Sequence, residues 1–325
     1  MNPAASRAWG WRAHLLAGGV TPWREFTGPA AAPAAEFFPG AAQLELARRF
    51  NEVGSRPDVV RRILETGGPG RGRQELPLPD AGLERSWGPA PVDPQDVPVE
   101  ELIRSGLGVL VESLGALRLP PPTPAPRERW FDRFRGHGVL ALPLAPLDQL
   151  LYDAWVARVR QGPVMKWSEW TAKLARIDRV PHELRFEQRA TQWLATGFRR
   201  RVELSPPDPT PRVHPAATEL VRRLHPLLAG LVPAAQRREL SATVLAPWLG
   251  AHAGGRELVL PRAVRPWALE LADRIAADVR RAGYPVRGDV TVLHEIALQG
   301  RAKPKPAEIL AFTLQVLDNG WETGR

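Results

Sequence analysis

Two short stretches, Val139-Leu140-Ala141-Leu142 and Arg201-Val202-Glu203-Leu204, decide how this chain folds. The first is an apolar run bounded by glycine and by Pro143, a pattern that suits a buried strand, although its length alone does not separate strand from helix. From Pro146 to Arg160 the apolar residues Leu147, Leu150, Leu151, Ala154 and Trp155 recur at helical spacing, so a helix follows the run. A further helix is expected around Ser168 to Ile177, with Ser168 as its N-cap, and another from about His182 to Thr196. Arg201-Val202-Glu203-Leu204 then reads as a second strand, stopped by Pro206-Pro207. The order strand, helix, strand predicts a mainly α protein with a small, mostly parallel β-sheet, an α/β core in the C-terminal half. The remainder reads as helical, broken by a short strand at Glu257-Leu258-Val259-Leu260 and a turn at Gly283-Tyr284-Pro285. No internal repeat organises the chain.

Upstream, Pro120-Pro121-Pro122-Thr123-Pro124-Ala125-Pro126 is a stiff, polyproline-like connector. It divides the sequence into a helical N-terminal domain (1–118), a linker (119–127) and the α/β core with its helical C-terminal part (128–325). In the first of these, Trp9, Trp11, Leu15 and Leu16 fit one helical face. Leu44, Leu46, Ala47, Phe50 and Val53 mark a helix over 41–53 that Gly54 ends. Pro57 opens a helix to Glu65 whose buried side is Val59, Val60, Ile63 and Leu64. Val99 to Leu117 is another amphipathic helix of this domain.

Composition narrows the classes. A chain of 325 residues is ample for two domains with real cores. It has no cysteine, which excludes disulfides, thiolate metal sites and a thiol nucleophile. The N-terminus, Met1-Asn2-Pro3-Ala4-Ala5-Ser6-Arg7, lacks the apolar core of a signal peptide, and no run of about 18 apolar residues occurs. A cytoplasmic, soluble protein without membrane contact is expected. Net charge is +9, yet of the 44 Lys and Arg only Lys166, Lys173, Lys303 and Lys305 are lysines, leaving 40 arginines. Spread through almost every segment beside acids, and accompanied by 35 prolines, they read as high-GC coding bias and not as a phosphate-binding stripe. Nucleic acid is therefore not the favoured partner, and a protein partner remains open.

Each candidate motif has a bland counterpart. Gly67-Gly68-Pro69-Gly70-Arg71-Gly72-Arg73 has amides able to approach a phosphate, but it follows a helix and lacks Gly-Lys-Ser/Thr, so a flexible connector is the better reading. The helices at 41–53 and 57–66 loosely resemble a helix-turn-helix, with the turn Asn51 to Arg56 longer than that motif allows. The seven histidines never take metal-ligand spacing, and no metal or cofactor is expected. His137, flanked by Gly136 and Gly138 just before the first strand, is the candidate base of a transferase. Arg133, Arg135, Tyr152 and Arg158 are its candidate anion-binding companions. Trp9, Trp155, Trp167, Trp170 and Trp193 sit on apolar helix faces, where packing is the default role.

The text Leu142-Pro143-Leu144-Ala145-Pro146-Leu147-Asp148, then Trp167-Ser168-Glu169-Trp170, then Phe198 through Leu204, resembles the middle of bacterial sulfotransferases. Ala282-Gly283-Tyr284-Pro285-Val286-Arg287-Gly288-Asp289-Val290 is similar to the Gly-Asp ending those enzymes often carry. The resemblance spans residues 139–204 and 282–290 and implies a sulfotransferase-like core. In that family a turn arginine and a downstream serine hold the 3′-phosphate of 3′-phosphoadenylyl sulfate. The matching positions here are Leu144 and Tyr152, and leucine does not pair with phosphate. The upstream Gly-rich loop for the 5′-phosphosulfate is missing as well. The resemblance thus implies a degenerate relative, an accessory or binding protein. The alternatives are a transferase with a different phosphate-containing donor and a DNA-binding regulator acting through helices 41–66.

Overall fold

The computed structural model describes residues 3–32, 38–54, 56–66, 77–79, 90–118, 138–195, 200–207, 212–255 and 258–321. Its elements, in order, are α1 (Pro3–Leu16), α2 (Ala41–Val53), α3 (Pro57–Glu65), α4 (Val99–Ala116), β1 (Gly138–Pro143), α5 (Leu147–Gln161), α6 (Trp167–Arg176), α7 (Phe186–Leu194) and β2 (Arg200–Ser205). Then come α8 (Pro215–Leu231), α9 (Ala234–Leu240), a π-helical turn over Ser241–Leu245, α10 (Ala246–Ala251), α11 (Arg265–Ala282) and α12 (Pro306–Asn319). The protein is mainly helical with a small parallel sheet, as the strand-helix-strand order predicts. No helix among the described residues is long and apolar enough to cross a membrane.

Contacts divide the chain into two compact units. One gathers Met1–Arg118 with Pro226–Val232 and Lys305–Arg325, and the other gathers Leu119–His225 with Pro233–Pro304. Within the first, α2 and α3 pack through Leu44, Leu46, Phe50, Val59, Val60 and Ile63, all fully buried. Buried Gln43 joins their far ends: its Oε1 accepts the Gly40 N–H at 2.8 Å, and its Nε2 donates to Thr66 O at 2.5 Å. Thr66 in turn donates to Glu112 of α4 at 2.9 Å. Gly106 lets α12 approach α4 closely, since a Cβ there would collide with the side chain of Thr313.

In the second unit β1 and β2 pair in parallel, with Leu140 opposite Val202 and Leu142 opposite Leu204. Pro285–Arg287 continues the sheet on the far side of β2: Leu204 N–H donates to Pro285 O at 2.8 Å, and Arg287 N–H to Leu204 O at 2.7 Å. The run expected to be a buried strand is half-exposed. Leu142 and Leu204 are buried whereas Val139 is 55% exposed, because helices cover one face of so small a sheet. In the same unit Tyr152, Trp155, Trp167 and Trp170 form a cluster with ring centroids 5.9–6.0 Å apart. Their polar tips are satisfied: Trp155 Nε1 donates to Met165 O at 3.0 Å and Trp167 Nε1 to Val259 O at 3.1 Å.

Three local expectations change. Ser168 lies inside α6, whose N-cap is Lys166, so the serine is no cap. The expected helix from His182 is a 3-10 turn, His182–Leu184, followed by a break at Arg185 and then α7. The expected strand near Val259 is a single parallel bridge, Leu258 to Arg301. The Gly67–Arg73 run and the proline-rich linker lie outside the described residues.

Candidate functional site

A parallel sheet concentrates ligand sites beyond the carboxyl ends of its strands, where loops end and helix N-termini begin. This chain has a cleft of about 860 Å³ at that place. Leu144, Ala145 and Pro146 line it after β1, Pro206 and Pro207 after β2, and Gly288 and Asp289 after the Pro285–Arg287 segment. Sequence drives each turn: Pro143 and Pro146 bracket the exit from β1, and Pro206-Pro207 stops β2.

Helix α5 supplies part of the lining. Gln149, Asp153, Val156 and Arg160 recur at helical spacing along one stripe of the helix and all line the cleft. Asp153 and Arg212 form a loose pair across it at 3.3 Å. Arg160 makes no ion pair among the described residues, and its Nε is buried without a hydrogen-bond partner. Asp289, Thr291 and Glu295 line the cleft as well. Asp289 accepts the Thr291 N–H at 2.9 Å, and that bond holds its carboxyl below the ordinary carboxylate range.

The N-terminus of α5, which would otherwise attract an anion, is already charged by the chain itself. Asp148 is 4% exposed. Its carboxylate accepts the Gln149 N–H at 2.9 Å and the Ala297 N–H at 3.0 Å. A buried carboxylate in the first helical turn satisfies the positive end of the helix and repels a second anion. Beside it, Leu144 offers only methyl groups to the cleft.

Of the residues singled out by sequence, His137, Arg133 and Arg135 lie outside the described residues. Tyr152 is packed under the cleft and is not one of its lining residues: its hydroxyl donates to Val213 O at 2.9 Å. Arg158 also sits away from the cleft, 3.5 Å from Glu183 and 5.9 Å from the Trp170 ring centroid. Sequence reading passed over Asp148, Asp153, Arg160, Arg212, Asp289 and Glu295. The helical spacing of Gln149, Asp153 and Arg160 carried the signal for one wall, and nothing local tied that wall to residues 288–295.

Among the described residues no group of His, Asp and Glu is placed to hold a metal ion. In the first unit, the arginines of the helix-turn-helix-like pair are engaged at home. Arg48 binds Glu45 at 2.8 Å and Glu52 at 2.6 Å, Arg49 binds Glu45 at 2.8 Å, and Arg56 binds Asp58 at 3.0 Å. Arg62 reaches Ser113 Oγ on α4. Helix α2 ends at Val53 and α3 starts at Pro57, the bounds that the apolar spacing predicts. No protein-family model matches the chain, and comparison with curated proteins and with solved structures found no match.

Proposed function

We propose that this chain is a cytoplasmic accessory or binding protein, built on a sulfotransferase-like core that no longer takes a phosphosulfate nucleotide. The stretches that carry the resemblance support it by their placement: the text after β1, the end of β2 and the 282–290 segment border one cleft. The observation that carries the loss of the donor is the seat of Asp148. Where a phosphate would meet the backbone N–H groups that open α5, a buried carboxylate already accepts that of Gln149 and is held by the Ala297 N–H as well, and Leu144 stands beside it. Removing an anion-pairing arginine and adding an anion act in the same direction, so affinity for a nucleotide bisphosphate falls twice.

A DNA-binding role for residues 41–66 is disfavoured by the ion pairs of Arg48, Arg49 and Arg56, because a cation neutralised on its own helix adds little to a phosphate-attracting field. Isothermal titration of the full chain with 3′-phosphoadenylyl sulfate, and separately with adenosine 3′,5′-bisphosphate, tests the proposal. No saturable heat is expected at concentrations up to about 1 mM, a range that detects even weak sites. Micromolar binding of either nucleotide would overturn it.

A further inference from the structure

The strand-end cleft is not empty of binding chemistry, and its charges are arranged in an uneven way. Arg160, on the α5 wall, is a guanidinium without an ion-pair partner among the described residues and with a buried, unpartnered Nε. A guanidinium with no acid beside it keeps its charge unneutralised, so an anionic group at the cleft surface is attracted to it. Asp289 and Glu295 line the same cleft from a segment distant in sequence, and the carboxylate of Glu295 has no hydrogen bond or ion pair among the described residues. The lining also includes the apolar side chains of Leu144, Val213 and Pro206-Pro207. The volume of about 860 Å³ is that of a small-molecule site.

These features exclude the simpler ligand classes. An inorganic or nucleotide phosphate would bring two or more negative charges toward Asp148, Asp289 and Glu295. A simple cation would satisfy Glu295 and leave Arg160 as it is. From this we infer that the cleft binds a small aliphatic zwitterion, with its carboxylate on Arg160, its ammonium nitrogen on Glu295 and Asp289, and its hydrocarbon body across Leu144 and the two prolines. The inference rests on the reading above, in which the cleft has given up its phosphate ligand, and it supplies the class of molecule that replaces it.

The test uses the full chain and the straight-chain probes 4-aminobutanoate, 6-aminohexanoate and 8-aminooctanoate, with hexanoate and hexylamine as single-charge controls, all by isothermal titration at low salt. At least one amino acid of the series binds with a Kd of about 1 mM or below, and both controls bind at least about tenfold more weakly. Arg160→Gln and Glu295→Gln each weaken that probe by about tenfold or more, in line with loss of one charge-assisted bond. Glu295 is exposed, so its substitution leaves the fold intact and keeps the test valid even if Arg160→Gln lowers stability. The inference is overturned if no member of the series binds better than the controls, if hexanoate alone binds as tightly, or if Glu295→Gln leaves the affinity unchanged. Parallel titration with adenosine 3′,5′-bisphosphate separates the two claims. A silent nucleotide with silent zwitterions removes this inference alone, whereas a bound nucleotide removes both.

Discussion

Arginine does different work on α2 and on α5. On α2 the cations are consumed: Glu45, 1% exposed, receives Arg48 on both oxygens and Arg49 on one of them, each at 2.8 Å. The same clamp recurs on α8, where buried Glu219 holds Arg222 at 2.7 Å and Arg223 at 2.9 Å. Even the wording matches, Glu45-Leu46-Ala47-Arg48-Arg49-Phe50 against Glu219-Leu220-Val221-Arg222-Arg223-Leu224. On the cleft wall of α5, Arg160 has no such acid. Part of the chain's arginine content is thus structural, engaged by buried acids, while Arg160 lines a cleft. A net charge of +9 read as a bulk number points to nucleic acid, while the arginines taken one at a time include two helix clamps and, on the cleft, an Arg160 without an ion pair among the described residues.

Substitutions sharpen that contrast in order of size. Trp155→Ala, which removes a fully buried member of the aromatic cluster and the bond to Met165, lowers unfolding free energy by about 4 kcal/mol in urea titrations. Glu45→Ala and Glu219→Ala each leave two arginines against a buried, vacated site and cost about 3 kcal/mol. A loss below about 1 kcal/mol at either position would mean that the clamps are decorative. Arg222→Gln breaks a bidentate bond and costs about 2 kcal/mol, whereas Arg160→Gln stays within about 0.5 kcal/mol, since no intramolecular partner is lost.

The clamps and the core also predict a pH dependence. Burial holds the imidazole of His225 below its ordinary value of 6.5, while its Nε2 donates to Val159 O at 2.7 Å. The unfolded chain therefore takes up that proton more readily than the folded one. This contribution to stability is complete above about pH 6.5 and is lost progressively as pH falls below it. Glu219 extends the loss to lower pH. Burial pushes its carboxyl up, but the Arg222 and Arg223 hydrogen bonds outweigh this and hold it below the ordinary 4.5. Its contribution is present above that value and fades beneath it. Urea midpoints measured from pH 8 to pH 4 would show both limbs, and His225→Gln would flatten the first without altering the second.

Periodicity made most of the fold legible. The apolar spacing over 41–53 and 57–65 gave α2 and α3 to the residue, and Val139–Leu142 with Arg201–Leu204 gave a parallel pair. Boundaries failed where side-chain chemistry promised a cap that the backbone did not use, as at Ser168, or where a single non-helical residue, Arg185, interrupts a helical pattern. Nothing near residues 306–319 announces that α12 belongs with α4, because the fit rests on one glycine and one threonine two hundred residues apart, on the order of the longest separations a chain of this size makes. The cleft was half legible. Its α5 wall follows from helical spacing, while its acidic wall, and the bond from Ala297 N–H that pins Asp148, come from chain distant in sequence.

The most direct measurement is a crystal structure of the full chain grown with excess adenosine 3′,5′-bisphosphate. The cleft beside Leu144 is expected to contain no nucleotide, with the Asp148 carboxylate still accepting the Gln149 and Ala297 N–H groups. A nucleotide phosphate seated on the N-terminus of α5, with Asp148 turned away, would contradict the account.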